Sequence, residues 1–501
     1  MRVTQIPMLA GVAQLLDRES DPNTAMSPLD MLERAARGAC QDAGPGIRLF
    51  SKIDTIGIVS TDDWNPRNAA SLLAERIGAA PTCTLRTVMH GGDTPMVIVN
   101  DIARRIESGR AQVALIAGSR NYRTFMRAQR EKAALQWEQG GEGQPEVVGK
   151  ERIPCNRHEV DYNLYLPIQF YPFIENALRA RLGLDLESHR LKMGRLMNRF
   201  TKVAAHNPYA WLPVERSAEE LTTPTAANRM IGFPYTKYLN AFQDLNQAAA
   251  VLMLSEKAAR QLGIVQDRIT YWWGGAYAEE APWFFSERPD LSQSPSLRRC
   301  AEETFTRTGT TIDDIDFIDF YSCFPIAVEL AAEAYGIDEG DPRDLTVTGG
   351  LPYAGGPGNN YSLHALATMV QRVREKPGAI GLVTGLGLYA TRHSSTVVSS
   401  KPKDPGRGEA AAKSKAAYKE TPPAVAEEAT GRGTIEAYTV MHDREGAPEL
   451  GTVAGRLEDG RRFFANTPSE RGFLEDFVAV EEVGRAGRVK HVNGRNIFDP
   501  R

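Results

Sequence analysis

No two cysteines in this sequence sit as a CxxC pair. The five, Cys40, Cys83, Cys155, Cys300 and Cys323, are odd in number and far apart, which excludes a disulfide framework or thiolate zinc site as the organising device. A reducing, cytoplasmic setting fits them best. Long apolar runs are missing as well, since no stretch approaches the ~18 residues of a membrane-spanning helix. The opening MRVTQIPMLAGVAQLL has a single Arg and no clear cleavage site, and the ending IFDPR matches no anchoring or peroxisomal tail.

An excess of one charge is absent too. The 59 Lys and Arg stand against 63 Asp and Glu, a net charge of −4, and the basic residues are spread along the chain. That removes the electrostatic footprint for nucleic acid or an anionic membrane. What is present is 42% hydrophobic content over 501 residues, enough for two or more packed domains and too much for disorder. Small-molecule chemistry is the class left standing.

The first 277 residues read as layered α/β. RVTQIPMLAGVAQ is a strand, SPLDMLERAARGACQDAG a helix capped by Ser27 with Pro28 at its first position, and KIDTIGIVS the next strand. In VMHGGDTPM, residues 88 to 96, two glycines hand over to a helix with Thr94 as cap and Gly109 as stop, and the apolar run QVALIAGS is of the buried-strand type. Residues 120–236 break this rhythm with helical pieces rich in Arg, Glu and aromatics, as an inserted loop domain would. NQAAAVLMLSEKAARQLGI then resumes strand and helix.

Residues 278–400 repeat the plan. Glycine corner, helix, glycine and apolar strand recur from Gly91 to Gly118 and from Gly355 to Gly385. Residues 401–432 have the composition of a solvated linker. In 433–501, alternating strands with Asp459-Gly460 and Asn493-Gly494 turn signals predict a small antiparallel barrel of the OB type.

A duplicated βαβαβ core, a long insertion, IDFIDFYSCF, TGGLPYAGGPG and GLVTGLGLY, in that order, together resemble the thiolase superfamily. The likeness is nearest to the sterol-carrier-protein-type thiolases and thiolase-like proteins, and it spans about residues 1 to 400. It implies a layered α/β/α/β/α fold, with acyl-CoA or CoA as substrate or ligand and no bound cofactor or metal. It also implies lipid metabolism of the acetyl-CoA acetyltransferase type, and either a homodimer or a monomer. The family's chemistry needs a cysteine nucleophile, a GHP histidine, a CxG cysteine and an NEAF or HDCF motif, because a thiolate needs a base and an enolate needs aimed donors.

Set on that pattern, the nucleophile's seat falls on Gly92, within one residue. GHP corresponds to Gly355-Gly356-Pro357, CxG to Leu386-Gly387-Leu388, and HDCF to Tyr321-Ser322-Cys323-Phe324. Cysteine-dependent thiolase activity is therefore not expected. Three readings stay open: an acyl-CoA-handling protein with altered chemistry, a retro-aldol lyase acting on acyl-CoA side chains through Tyr321, and a noncatalytic acyl-CoA- or partner-binding protein. Tyr321, His393 and Tyr361 are the catalytic candidates; Tyr353 is a further nearby phenol. His90, Gly91, Gly92, Gly355, Gly356, Asn359 and Cys323 are the binding candidates. Glycine corners expose N–H groups at a positive helix end, which suits a thioester oxygen or carboxylate.

Overall fold

The computed structural model describes residues 5–44, 46–338, 340–404 and 417–501. Part of the stretch read as a linker, 405–416, lies outside the described residues.

The first half contributes β1 (Pro7–Leu16), β2 (Thr55–Val59), β3 (Cys83–Thr87), β4 (Val113–Asn121) and β5 (Glu146–Val148). The insertion adds a small hairpin, β6 (Met230–Gly232) and β7 (Tyr235–Thr236), after which come β8 (Asn246–Ser255), β9 (Thr270–Gly274) and β10 (Tyr277–Glu279). The second half supplies β11 (Phe317–Asp319), β12 (Ile380–Gly387) and β13 (Arg392–Ser399). All but β6 and β7 form one sheet in the order β11-β12-β13-β9-β1-β8-β4-β2-β3-β5, with β10 on β13.

The duplication is visible in strand direction. In the first half β2 runs parallel to β4, and β8 and β1 follow antiparallel. In the second, β11 runs parallel to β12, and β13 and β9 follow antiparallel. The halves meet where β1 pairs β9 through Met8 and Leu9. The helices Thr94–Glu107 and Tyr361–Glu375 pack on strands of both halves and on each other, so they form a central layer. Met96, Ile98, Val99, Ile102, Ala103 and Ile106 of the first are all buried, as a helix covered on two sides requires.

Local signals explain most boundaries. Ser27 forms a full capping box with Asp30 and Pro28 opens the helix. At the glycine corner Asp93, not Thr94, occupies the N-cap position, and it does so without a side-chain cap. The Thr94 hydroxyl instead donates to the Gly91 carbonyl at 2.9 Å.

The C-terminal strands β14 (Gly431–His442), β15 (Pro448–Leu457), β16 (Arg462–Asn466), β17 (Ala486–Val492) and β18 (Arg495–Asp499) close into a barrel. Its seams run β14-β15-β16-β18-β17-β14, with the helix Arg471–Ala479 between β16 and β17, an OB-type arrangement. One seam, β16 to β18, is parallel, which a purely antiparallel expectation missed. Asn493 and Gly494 both have positive φ, 51° and 77°, the geometry of the expected two-residue hairpin turn.

The barrel is fastened to the rest of the chain. The β6–β7 hairpin of the insertion extends its sheet beside β14. Arg462, fully buried on β16, pairs with Glu436 at 2.7 Å and donates to the carbonyls of Ser286, Arg288 and Pro289. Among the described residues no helix is long and apolar enough to cross a membrane.

Candidate functional site

The corner between β3 and the Thr94–Glu107 helix is built around backbone that only glycine tolerates. Gly91 has φ +131°, and its N–H donates to Asn359 Oδ1 at 2.9 Å. Asn359 Nδ2 donates to the carbonyls of Ser60 and Met89, each at 2.7 Å. Asn359 thus ties the first glycine corner to the second, and the Gly91 N–H is already used.

Above Gly92 lies Tyr321. A Cβ at residue 92 would overlap the Tyr321 hydroxyl and ring. The phenol therefore fills the space into which a side chain at 92 would project. Tyr321 is 8% exposed, its backbone N–H donates to Thr384 Oγ1 at 2.9 Å, and its ring meets Tyr361 edge-on at 5.5 Å. Its hydroxyl has no hydrogen-bond partner among the described residues. Burial, aided by Cys323 and Asp93 and opposed by Arg120, holds this phenol well above its ordinary pKa. It is a neutral donor at physiological pH.

Tyr361 is spent elsewhere. Its hydroxyl donates to Asp319 Oδ1 at 2.9 Å and lies 2.7 Å from Thr348 Oγ1. Asp319 gathers Thr346, Val347 and Thr348 around the same carboxylate, and burial raises it to about 6. Tyr361 backs Tyr321 without presenting its own hydroxyl to the corner. Tyr353 is buried, and its hydroxyl has no hydrogen-bond partner among the described residues.

The sequence reading overlooked an ion pair beside the corner, Asp93 with Arg392. They are 1% and 2% exposed, and the carboxylate lies 3.3 Å from the guanidinium without hydrogen-bond alignment. Arg392 also donates to the carbonyls of His90 and Lys150. Side chains at Gly91 or Gly387 would overlap the Asp93 carboxylate, and one at Gly385 would crowd its backbone. The three glycines make room for this pair. Burial raises Asp93 to about 6, with Arg392 pulling the other way.

His393 follows Arg392 on β13, and successive strand residues face opposite sides. Its Nε2 lies 3.0 Å from Ser294 Oγ, which donates to Glu280 at 2.6 Å. Burial, then Arg288, pushes His393 down to about 3. It is neutral and is not brought to the corner. The His90 ring is exposed and meets Glu151 at 3.2 Å; only its carbonyl joins the corner. Gly355 gives way to Gln247 and Leu245, and the Gly356 N–H donates to the Phe242 carbonyl at 2.7 Å. Burial pushes the Cys323 thiol up to about 12, so it stays protonated.

Residues 415–493, which include most of the barrel, match the family described as the thiolase-like protein type 1 additional C-terminal domain. The whole chain is 32% identical to a monomeric SCP2-thiolase-like protein type 1 from Mycobacterium smegmatis, whose crystal structure it matches over 100% of both chains with a TM-score of 0.82. The chain belongs to the SCP2-thiolase-like type 1 family. For this type 1 protein, 80% of the chain also matches 99% of a chain of the Ltp2–ChsH2(DUF35) aldolase, at 17% identity and a TM-score of 0.60, a likeness of fold alone. No curated protein matches the sequence.

Proposed function

We propose that this protein handles acyl-CoA thioesters at the Gly92–Tyr321 corner without a covalent acyl-enzyme. The observation that carries the reading is the overlap between Tyr321 and any side chain at residue 92. A nucleophile belongs there by resemblance, and a neutral phenol occupies its room. The neighbouring thiol, Cys323, is protonated. Loss of a nucleophile from a covalent mechanism costs on the order of 10⁶ in rate, so cysteine-dependent thiolysis is not expected. Calorimetric titration with CoA and acetyl-CoA tests the binding half of this reading; absence of heat for every acyl-CoA tried would sink it.

A second reading makes the site a retro-aldol lyase acting on acyl-CoA side chains. It is supported by the unpartnered Tyr321 hydroxyl, a donor able to protonate a developing enolate. The aldolase of like fold agrees with it in kind. Tyr321→Phe should then abolish cleavage while acyl-CoA binding persists. If no turnover exists to abolish, the protein is a noncatalytic binder.

The protein is further proposed to act as a monomer, as its Mycobacterium smegmatis relative is described. The sheet edge beside β3 is already covered by β5, a three-residue strand with Glu146 and Val147 exposed, which blunts strand pairing with a second copy.

A further inference from the structure

Away from the glycine corner, a cavity of ≈ 440 Å³ opens between the insertion helices Pro167–Arg181 and Leu186–His206 and the second-half helix Pro325–Tyr335. That volume lies in the range of small-molecule sites, ~300–1,000 Å³. Its wall is aliphatic: Leu178, Leu182, Leu196, Val328, Ile337 and Leu345. Leu182 stays 45% exposed, so apolar surface faces the opening, uncovered among the described residues.

The cationic residues around this wall are not equally committed. Arg181 pairs with Glu333 at 2.6 Å. Arg199 donates to the carbonyls of Asp341 and Arg343. Lys192 lies 3.6 Å from Glu329. Arg195, exposed on the same helix, has no ion pair or hydrogen bond among the described residues. The cavity therefore combines an aliphatic lining with one uncommitted guanidinium, which complements an aliphatic chain ending in a carboxylate. Glu329, Glu333 and Asp338 also line the cavity, with Glu333 facing Arg181 and Glu329 facing Lys192, and a neutral ligand would leave Arg195 unused.

We propose that this cavity binds a long-chain aliphatic carboxylate, with its chain against Leu178, Leu196 and Val328 and its head at Arg195. The site is separate from the Gly92–Tyr321 corner and does not depend on CoA binding there.

The test uses the full chain, with cis-parinaric acid as fluorescent probe and palmitate, hexadecanol, hexadecyltrimethylammonium and palmitoyl-CoA as competitors. Palmitate should displace the probe, and hexadecanol and the ammonium should do so at least about tenfold less well. Arg195→Glu, a surface change, should weaken palmitate by about tenfold, and Ala332→Trp, which fills the cavity, should abolish probe binding with the melting temperature retained. Equal competition by hexadecanol would overturn the proposal, as would probe binding unchanged in Arg195→Glu. Displacement by palmitoyl-CoA but not by palmitate would assign the cavity to a thioester's chain and overturn the free carboxylate.

Discussion

Replacing Gly92 with Ala adds a single methyl group, yet the structure predicts a measurable loss of stability. That methyl would overlap the Tyr321 hydroxyl and ring. The ring cannot simply withdraw, because Tyr361 stands behind it at 5.5 Å and is itself held by Asp319 and Thr348. Overpacking in such a place costs about 1–3 kcal/mol. The decisive comparison is a double-mutant cycle in urea. Tyr321→Ala alone leaves a cavity and costs about 3–5 kcal/mol, but it removes what the methyl strikes. In that background Gly92→Ala should cost less than about 0.5 kcal/mol, giving a coupling of at least about 1 kcal/mol. Tyr321→Phe should not relieve the clash, since the ring atoms overlap as well as the hydroxyl. Equal cost for Gly92→Ala in both backgrounds would refute the claim that Tyr321 fills the space at residue 92.

Other consequences can be measured directly. Asp93, raised by burial to about 6 from an ordinary value of 3.8, contributes stability that is fully present below the unfolded value and lost as pH rises through about 6. Asp93→Asn should lack that loss, about 3 kcal/mol for a carboxyl raised by about two pH units, when unfolding free energies are measured in urea from pH 4 to 7. Arg392→Met leaves Asp93 buried without its partner and should cost about 3–5 kcal/mol, with partial recovery in the Asp93→Asn, Arg392→Met double variant. Arg462→Met removes the guanidinium that joins β16 to the Ser286, Arg288 and Pro289 carbonyls; calorimetry should show the unfolding transition lowered by several degrees, and an unchanged transition would deny this contact its role. Of the five cysteines only Cys83 is not buried, so Ellman's reagent should find at most one fast thiol in the native protein and five in urea.

Much of the architecture was legible because it rests on short-range rules. Ser27 with Pro28, and Asn493 with Gly494, fix a helix start and a hairpin within a few residues. The two glycine corners could be recognised for the same reason. The site was less legible because its contacts are long-range. Asp93 stood within the corner motif, but its partner Arg392 comes from the other half of the chain, and no local pattern joins them. Strand parity did the rest: His393 and Arg392 are neighbours on β13, and it is Arg392 that faces the corner. Thr94 lies inside the helix, with Asp93 at the N-cap position, and its hydroxyl donates back to the Gly91 carbonyl. The insertion's β6–β7 hairpin lengthening the barrel sheet is likewise a pairing between distant segments, invisible to periodicity.

The central claim is that acyl-CoA is held beside Gly92 and Tyr321 with no covalent transfer to the chain. Native mass spectrometry of the full-length protein with acetyl-CoA tests this in one measurement. A noncovalent complex that dissociates on activation to unmodified protein is the expected result. An acetylated chain, on Cys323 or any other residue, or the absence of any complex, would contradict it.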